Sequence, residues 1–182
     1  MLRYVVTIIM LLPAHAFAGT TESVLQYIMD DYKAQCVAAQ QESMEAMREG
    51  EDLNPVKIKF YDEDIYEIDI TAKGKKATVF HASPWCPQIG FPWCGTGGCT
   101  SYVIVDGVSF ETWGGRPVSV SVSDYRVVVI VPRSGGSCID ANGSTLSNSA
   151  SCYSVAVWDD HTKIFNSMPS VIPVFKVSDF MP

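Results

Sequence analysis

The sequence predicts an α+β domain, in which one N-terminal helix packs on a mainly antiparallel β-sheet, sandwich or partial barrel stapled by disulfides. Three observations predict this class. They are a helix-forming stretch over residues 21–48, a change to strand-like alternation after Pro55, and six cysteines. The 164 residues that follow position 18 are typical of a single domain with a substantial core. We therefore expect one domain over residues 19–182.

The first 18 residues have the organisation of a secretory signal peptide. Arg3 precedes an apolar run over residues 4–12, and Ala16 and Ala18 supply the small residues at the −3 and −1 positions of a cleavage site. The apolar run is shorter than the roughly 20 residues that a membrane span needs. We expect cleavage after Ala18, no membrane span in the mature chain, and a periplasmic or secreted protein.

The mature chain is acidic. Removal of Arg3 with the signal segment leaves 12 basic and 20 acidic residues, a net charge of −8. Such a charge disfavours nucleic acid and anionic membranes as partners. It favours encounter with a basic protein, and it also serves solubility alone.

Residues 21–48 predict the helix because apolar residues recur every three or four positions among good helix formers. Thr20 or Thr21 can cap its start, and Gly50 and Pro55 end it. Its apolar stripe comprises Leu25, Ile28, Met29, Tyr32 and Cys36.

A β-rich body is predicted over residues 56–167, with turns at Lys73-Gly74-Lys75 and Asp106-Gly107. The run at 126–131, apolar after its arginine, is the best candidate for a central strand, and the Val-Ser alternation at 118–122 is typical of a sheet with one solvated face. The tail over residues 168–182 carries three prolines and is predicted to be irregular or edge structure. The predicted strands cover residues 56–60, 65–70, 77–81, 101–105, 108–113, 118–122, 126–131, 154–158 and 163–165.

All six cysteines follow the signal segment, so an oxidising compartment and three disulfides are expected. Six cysteines allow fifteen pairings, and locality favours the pairs Cys138–Cys152 and Cys94–Cys99, which leaves Cys36 with Cys86. Zinc ligation by three of these cysteines and His81 is an alternative, but the spacings differ from those of usual zinc sites. The stretch from Asp69 to Lys75 has the shape of a calcium loop, with Lys73 at a position where an oxygen ligand is needed.

The sequence contains no recognisable nucleophile–base set and no cofactor motif. His81 and His161 are the two histidines outside the signal segment, and the thiols are expected to be paired. We therefore assign no catalytic, cofactor-binding or metal-binding residue. The candidate binding residues are Trp85, Phe91 and Trp93 in the cysteine-rich loop, because exposed aromatic side chains anchor partners; coverage of the core by these rings is the structural alternative.

Three sequence features resemble a loose group of exported, mostly uncharacterised bacterial proteins. They are the hairpin that starts at Asp69, the loop Cys94-Gly-Thr-Gly-Gly-Cys99, and the segment that runs from Cys138 and Cys152 to Trp158-Asp159. The resemblance covers roughly residues 64–165. It implies export and a β-rich, cross-linked architecture, and it brings no agreed activity.

The leading functional hypothesis is an exported, non-enzymatic envelope or periplasmic protein that binds a basic protein partner, in the manner of an inhibitor or immunity protein. A glycan or peptidoglycan binder that uses the loop tryptophans is the first alternative. An envelope hydrolase is the second, and it would need two facing carboxylates from pairs such as Asp62/Asp64, Asp30/Asp31 or Asp159/Asp160.

Overall fold

The structure is a computed structural model that describes residues 19–47, 58–87, 89–95, 97–123, 126–134, 138 and 151–168. Within these residues, one helix and two antiparallel sheets, with three disulfides, confirm the predicted fold class, and the sheets do not close into a barrel. The elements are α1 (Thr21–Met47), a 3-10 turn (Asp62–Asp64), β1 (Ile65–Asp69), β2 (Lys76–Ala82), β3 (Cys94–Gly95), β4 (Gly98–Val105), β5 (Val108–Gly114), β6 (Val118–Ser123), β7 (Arg126–Ser134), β8 (Ser151–Asp159) and β9 (Ile164–Met168).

The strands form two sheets by simple antiparallel pairing. In the first sheet β1 pairs with β2, β2 with β4, and both β3 and β5 with β4. The second sheet is a meander in the order β6-β7-β8-β9. The predicted central strand at 126–131 is confirmed, because β7 lies between β6 and β8.

The molecule has three layers, with the first sheet in the middle. Side chains alternate between the two faces of a strand, and both faces of β2 are buried. Phe80 and Ala82 pack with the apolar stripe of α1 on one face. Ala77 and Val79 pack with residues of the second sheet, such as Val129, on the other face.

α1 begins where Thr20 caps it, because the Thr20 Oγ1 accepts a hydrogen bond from the Ser23 amide at 3.3 Å. Its buried stripe runs from Val24 through Ile28 and Tyr32 to Cys36, one residue earlier at its start than the sequence indicated. Leu25 and Met29 of the predicted stripe are partly buried beside it. The helix therefore covers the sheet along most of its described length.

The Asp106-Gly107 hairpin between β4 and β5 is confirmed, with φ of 50° and 77° at its two central residues. These positive angles are those of a type I′ turn, which favours glycine at its second central position. A Cβ atom at Gly107 would also overlap the backbone carbonyl of Gly19. The Gly19 backbone therefore packs closely against this turn.

The predicted strand over residues 56–60 is wrong for its described part. Residues 58–60 contribute a single bridge, in which Lys59 and Trp85 exchange two backbone hydrogen bonds of 3.0 Å. The pairing stops there because Trp85 is followed by Cys86, which is bonded to the helix, and the chain then turns back through a Cys86–Gly90 bridge. Ile58 and Phe60 still pack against the helix-side core.

The three disulfides are Cys36–Cys86, Cys94–Cys99 and Cys138–Cys152, which is the pairing that locality favoured. The first bond joins α1 to the chain just beyond β2, and the second lies within the β3–β4 pair. Among the described residues, no helix combines the length and apolarity needed to cross a membrane. The expected signal segment, residues 56 and 57, the loop 139–150 and the tail beyond Met168 lie outside the described residues.

Removal of the Cys36–Cys86 bond should destabilise the protein more than removal of Cys138–Cys152. The sequence separations are 50 and 14 residues, and the chain-entropy model gives about 4 and about 3 kcal/mol for loops of these sizes. We expect the double variant Cys36→Ala/Cys86→Ala to show the larger loss in urea unfolding. Hydrogen exchange should also show faster exchange in α1 for that variant alone. An equal effect of both variants on α1 would contradict this account of how the helix is attached.

Candidate functional site

The cysteine-rich segment over residues 83–99, which we name the aromatic loop, is fixed to the body at several points. Cys86 is fully buried and bonded to α1. Its amide and carbonyl are both hydrogen-bonded to Gly90, at 2.8 and 2.7 Å. The Pro87 carbonyl accepts a hydrogen bond of 3.0 Å from the buried Gln40 side chain of α1. The backbone on either side of Cys86 is therefore held to the helix.

The far end of the aromatic loop is held by close approach of two backbones. Cys94 and Cys99 pair across β3 and β4 and are also joined by their disulfide. Gly98 has a φ of 121°, and a Cβ atom there would overlap the backbone of Gly114 on β5. Glycine is required at this position because any side chain would separate the strands.

Two aromatic side chains of the loop face solvent. Trp85 is 39% exposed and Phe91 is 49% exposed, although large apolar side chains gain free energy from burial. Both residues stand next to points where the backbone is fixed, Trp85 at its bridge with Lys59 and Phe91 beside Gly90. Two of the three predicted binding residues thus form an exposed aromatic pair on a restrained backbone.

Trp93, the third predicted binding residue, lies against the helix. Its ring meets the Tyr32 ring edge-on with 4.9 Å between centroids. Its Nε1 donates a hydrogen bond of 2.7 Å to Oε1 of Gln35. Trp93 is therefore half-buried, and it fastens the loop to α1 rather than standing free. Of the two tryptophans outside the loop, Trp158 is buried in the core and Trp113 is partly buried.

Acidic groups stand on the helix next to this loop. Gln35, which receives the Trp93 hydrogen bond, donates one of 2.7 Å from its Nε2 to Oδ2 of Asp31. Asp31 and its neighbour Asp30 are exposed, and Lys33 pairs with Asp30 at 2.6 Å. The nearby Lys33 and Asp30 charges offset each other, which leaves the Asp31 carboxylate as the uncompensated charge of this group.

A second cluster, which we name the polar row, crosses the first sheet on the face that meets the second sheet. His81 pairs with Ser101, and Ser101 with Thr112. Asp64 stands one residue before Ile65, whose partner is Phe80, so the strand register leads from it toward His81. All four residues of the row, Asp64, His81, Ser101 and Thr112, are buried.

Short hydrogen bonds hold three members of the polar row. The Asp64 carboxylate accepts hydrogen bonds from Ser83 Oγ at 2.6 Å and from Arg116 Nη2 at 2.7 Å. His81 Nδ1 and Ser101 Oγ are hydrogen-bonded at 2.7 Å. Burial, assisted by the positive charge of Arg116, holds the pKa of His81 below its ordinary value. A neutral histidine suits a site between two sheets.

Three buried polar atoms near the row have no hydrogen-bond partner among the described residues. They are Thr112 Oγ1, Ser154 Oγ and Arg133 Nε. Ser154 pairs with Val131 of β7, and Val131 faces Gly114 of the first sheet. The unpaired atoms therefore lie where the two sheets meet, and internal water is the usual partner of such groups.

The polar row is built for structure rather than for attack on a substrate. A nucleophilic serine must be reachable by the group it attacks, and Ser101 has no exposed surface. This row was not predicted from the sequence, although its signal was present. His81, Ser101 and Thr112 are polar residues at positions where the strand alternation calls for apolar ones, and pairing the strands by their turns aligns them.

Several carboxylates that the hydrolase alternative could use are bonded to other groups in the described structure. Asp159 accepts backbone hydrogen bonds from residues 161 and 162. Asp69 pairs with Lys76 at 2.9 Å. Within the described residues, no group of three or more His, Cys, Asp or Glu side chains could hold a metal ion. Among the other ion pairs, Lys33 meets Asp30 at 2.6 Å, Arg116 meets Asp64 at 2.7 Å, and Lys75 meets Asp160 at 2.8 Å.

No protein-family model, curated protein or solved structure matches this chain. The functional interpretation therefore depends on the surfaces and side chains described above.

Substitutions in the polar row should have opposite effects on stability, depending on whether the hydroxyl that is removed has a hydrogen-bond partner. Ser101→Ala leaves the buried His81 Nδ1 without its partner, and we expect a loss of about 1–3 kcal/mol in the free energy of unfolding. Thr112→Val keeps the shape and removes a hydroxyl that has no protein partner, so we expect a gain of about 1 kcal/mol. Chemical denaturation measures both. A loss in Thr112→Val would indicate that Oγ1 binds an internal water.

The protein should lose stability in mildly acidic solution because of His81. The unfolded chain binds a proton near the ordinary pKa of 6.5, whereas the folded protein binds it only at lower pH. The stabilisation is therefore complete above pH 6.5 and declines as the pH falls below it, by at most about 1.4 kcal/mol per pH unit for one group. Denaturation at a series of pH values should show this slope, reduced in His81→Asn. The exposed His161→Asn is the matched control, and an equal reduction there would contradict the assignment.

Proposed function

We propose that this protein is exported and binds a basic protein partner through the aromatic loop, as an inhibitor or immunity protein does. One observation carries the proposal. Trp85 and Phe91 are exposed on a segment that two disulfides and a set of buried hydrogen bonds hold in place. Exposed aromatic side chains of this kind are typical centres of binding energy in protein interfaces.

The restraint on the loop matters as much as the exposure of its rings. Binding normally costs about 0.5–1.5 kcal/mol for each mobile side chain that becomes ordered, and more for a mobile loop. Here the Cys86 backbone is bonded to Gly90 and joined to α1 before any partner arrives. A preformed surface keeps more of the contact energy as affinity.

Charge supports a basic partner. The mature chain carries a net charge of −8, and the Asp31 carboxylate is linked through Gln35 to Trp93 at the base of the loop. Charge complementarity raises the rate of encounter and fixes the orientation of the partner. The exposed rings of the loop, which become buried on binding, supply most of the affinity. Basic cell-wall hydrolases are one class with the required charge.

Two features support export to the periplasm or the outside of the cell. Residues 1–18 have the pattern of a cleaved signal, with cleavage after Ala18. Three disulfides are typical of proteins that fold in an oxidising compartment. The resemblance to exported bacterial proteins agrees with this location.

The glycan-binding alternative uses the same rings. The Trp85 indole is partly exposed next to the bridge with Lys59. Indole rings stack on sugars as well as on protein side chains. The two functions differ in what the binding should depend on. Protein binding should weaken with salt because of the −8 charge, whereas stacking on an uncharged sugar should not.

We expect Trp85→Ala and Phe91→Ala to weaken protein binding about tenfold or more each, since truncation of a central aromatic costs on the order of 2 kcal/mol. The measurement is surface plasmon resonance on the oxidised protein against a panel of basic cell-wall hydrolases, a lysozyme among them, at low and high salt. Tyr27→Ala is the matched control, because Tyr27 is an exposed aromatic residue of α1 and not part of the loop.

The outcome that overturns the proposal is a panel without any salt-sensitive binder, or binding that all three variants leave unchanged. A change in tryptophan emission with peptidoglycan fragments, lost in Trp85→Ala and insensitive to salt, would assign the loop to glycans instead.

A further inference from the structure

Within the described residues, the second sheet has one covered face and one open face. Its inner face packs on the first sheet through residues such as Val129 and Ala156. The residues between these point the other way, and the helix contacts β4 and β5 of the first sheet. The outward face is mainly aliphatic and includes Val118, Val120, Ile130, Val155, Val157 and Ile164, with Asn166 and Asp159 on the same face toward its β9 edge. Val118 and Ile164, on its two edge strands, are 45% and 50% exposed.

The edge strand β6 is open to pairing in a way that the edges of the first sheet are not. A strand edge exposes unpaired backbone groups, and proteins protect such edges with charged residues. The edge strand β1 carries Glu67 and Asp69, and the edge strand β5 carries Glu111. β6 has the sequence Val-Ser-Val-Ser-Val-Ser and carries no charge. Its contact with β1 is at its start, where the Tyr66 hydroxyl donates a hydrogen bond of 2.8 Å to the Pro117 carbonyl.

We infer that the β6 edge pairs with the β6 edge of a second copy of this chain. Two copies that each carry a charge of −8 repel one another unless they meet through a surface free of acidic groups. The β6 strand and the part of the aliphatic face beside it are such a surface, because Asp159 lies toward the opposite edge of the sheet, where β8 pairs with β9. A basic partner, by contrast, finds no acidic residue there to bind.

The symmetry of the pairing also favours a second copy. Two identical edge strands pair antiparallel about a two-fold axis, and the same residues then serve both sides of the contact. The result is an eight-stranded sheet whose two aliphatic faces become continuous. The register of β6 shifts between Ser121 and Ser123, so the regular part that pairs is Val118–Ser121. A contact this short gives a weak, concentration-dependent dimer.

The test is the mass of the oxidised full-length mature protein by sedimentation velocity, from about 10 µM to about 1 mM. We expect a reversible change from one copy to two over this range. Val120→Lys should weaken the dimer at least about tenfold, because the axis brings the two introduced ammonium groups together. Asn166→Lys, an exposed position on the opposite edge strand β9, is the matched control and should leave the dimer unchanged. Circular dichroism and the unfolding midpoint verify the fold, and Val118→Lys replaces Val120→Lys if that variant unfolds.

Each remaining result overturns the inference. A single copy at every concentration does so, and so does equal weakening by the β6 and β9 substitutions. A chain that ends at Met168 tests the protein's own tail as the occupant of the face. If the full chain remains single while the shortened chain pairs, residues 169–182 occupy the surface and the second copy does not. Trp85→Ala should leave the dimer intact, so this result is independent of the loop function.

Discussion

Burial of both faces of the first sheet is the constraint on which the rest of this structure depends. The strands β2 and β4 have α1 on one side and the second sheet on the other, and residues such as Phe80, Val79 and Val103 have almost no exposed surface. A sheet buried in this way needs two covering layers, and any polar residue within it needs a partner. The polar row follows from that need, since the Ser101 hydroxyl is paired with His81. Within the described residues, the Thr112 and Ser154 hydroxyls are buried without a hydrogen-bond partner and so do not meet this need.

The attachment of the helix links this constraint to the aromatic loop. A single helix laid on a sheet is joined to it by one connection, so a covalent bond limits its freedom to detach. The Cys36–Cys86 bond does this from the helix side, and the Trp93 ring adds a contact with Tyr32. The same two contacts fix the loop. The rigidity that makes Trp85 and Phe91 suitable for binding is therefore a consequence of holding α1 on the sheet, and helix packing and loop presentation should change together.

The sequence was sufficient for the parts of the fold that local patterns determine. Glycine turns such as Asp106-Gly107 set the hairpins, and the cap at Thr20 set the start of the helix. Short separations indicated two of the disulfides, and the third, Cys36–Cys86, was the pair that remained. Prediction from the sequence failed where the environment of a residue depends on distant parts of the chain. Trp93 was expected to be exposed because its neighbours are loop residues, yet the helix reaches over it and Gln35 bonds its ring nitrogen. Residues 58–60 alternate like a strand, but a strand forms only where a partner of equal length is available, and Trp85 supplies a single bridge. The polar row could not be predicted because its members come together only when the registers of several strands are known.

The exposed apolar groups of this protein have two different origins. Those of the second sheet are a consequence of the three-layer arrangement, because the helix covers the first sheet and the aliphatic face of β6 to β9 is left open. Something must shield that face, whether or not the shielding serves the protein's activity. The exposure of Trp85 and Phe91 has no such structural cause. The Trp85 backbone makes the bridge to Lys59, and Cys86 and Gly90 fix the turn, so these backbone contacts do not depend on aromatic side chains at positions 85 and 91. Large aromatic residues that are partly exposed at such positions support the proposed binding role.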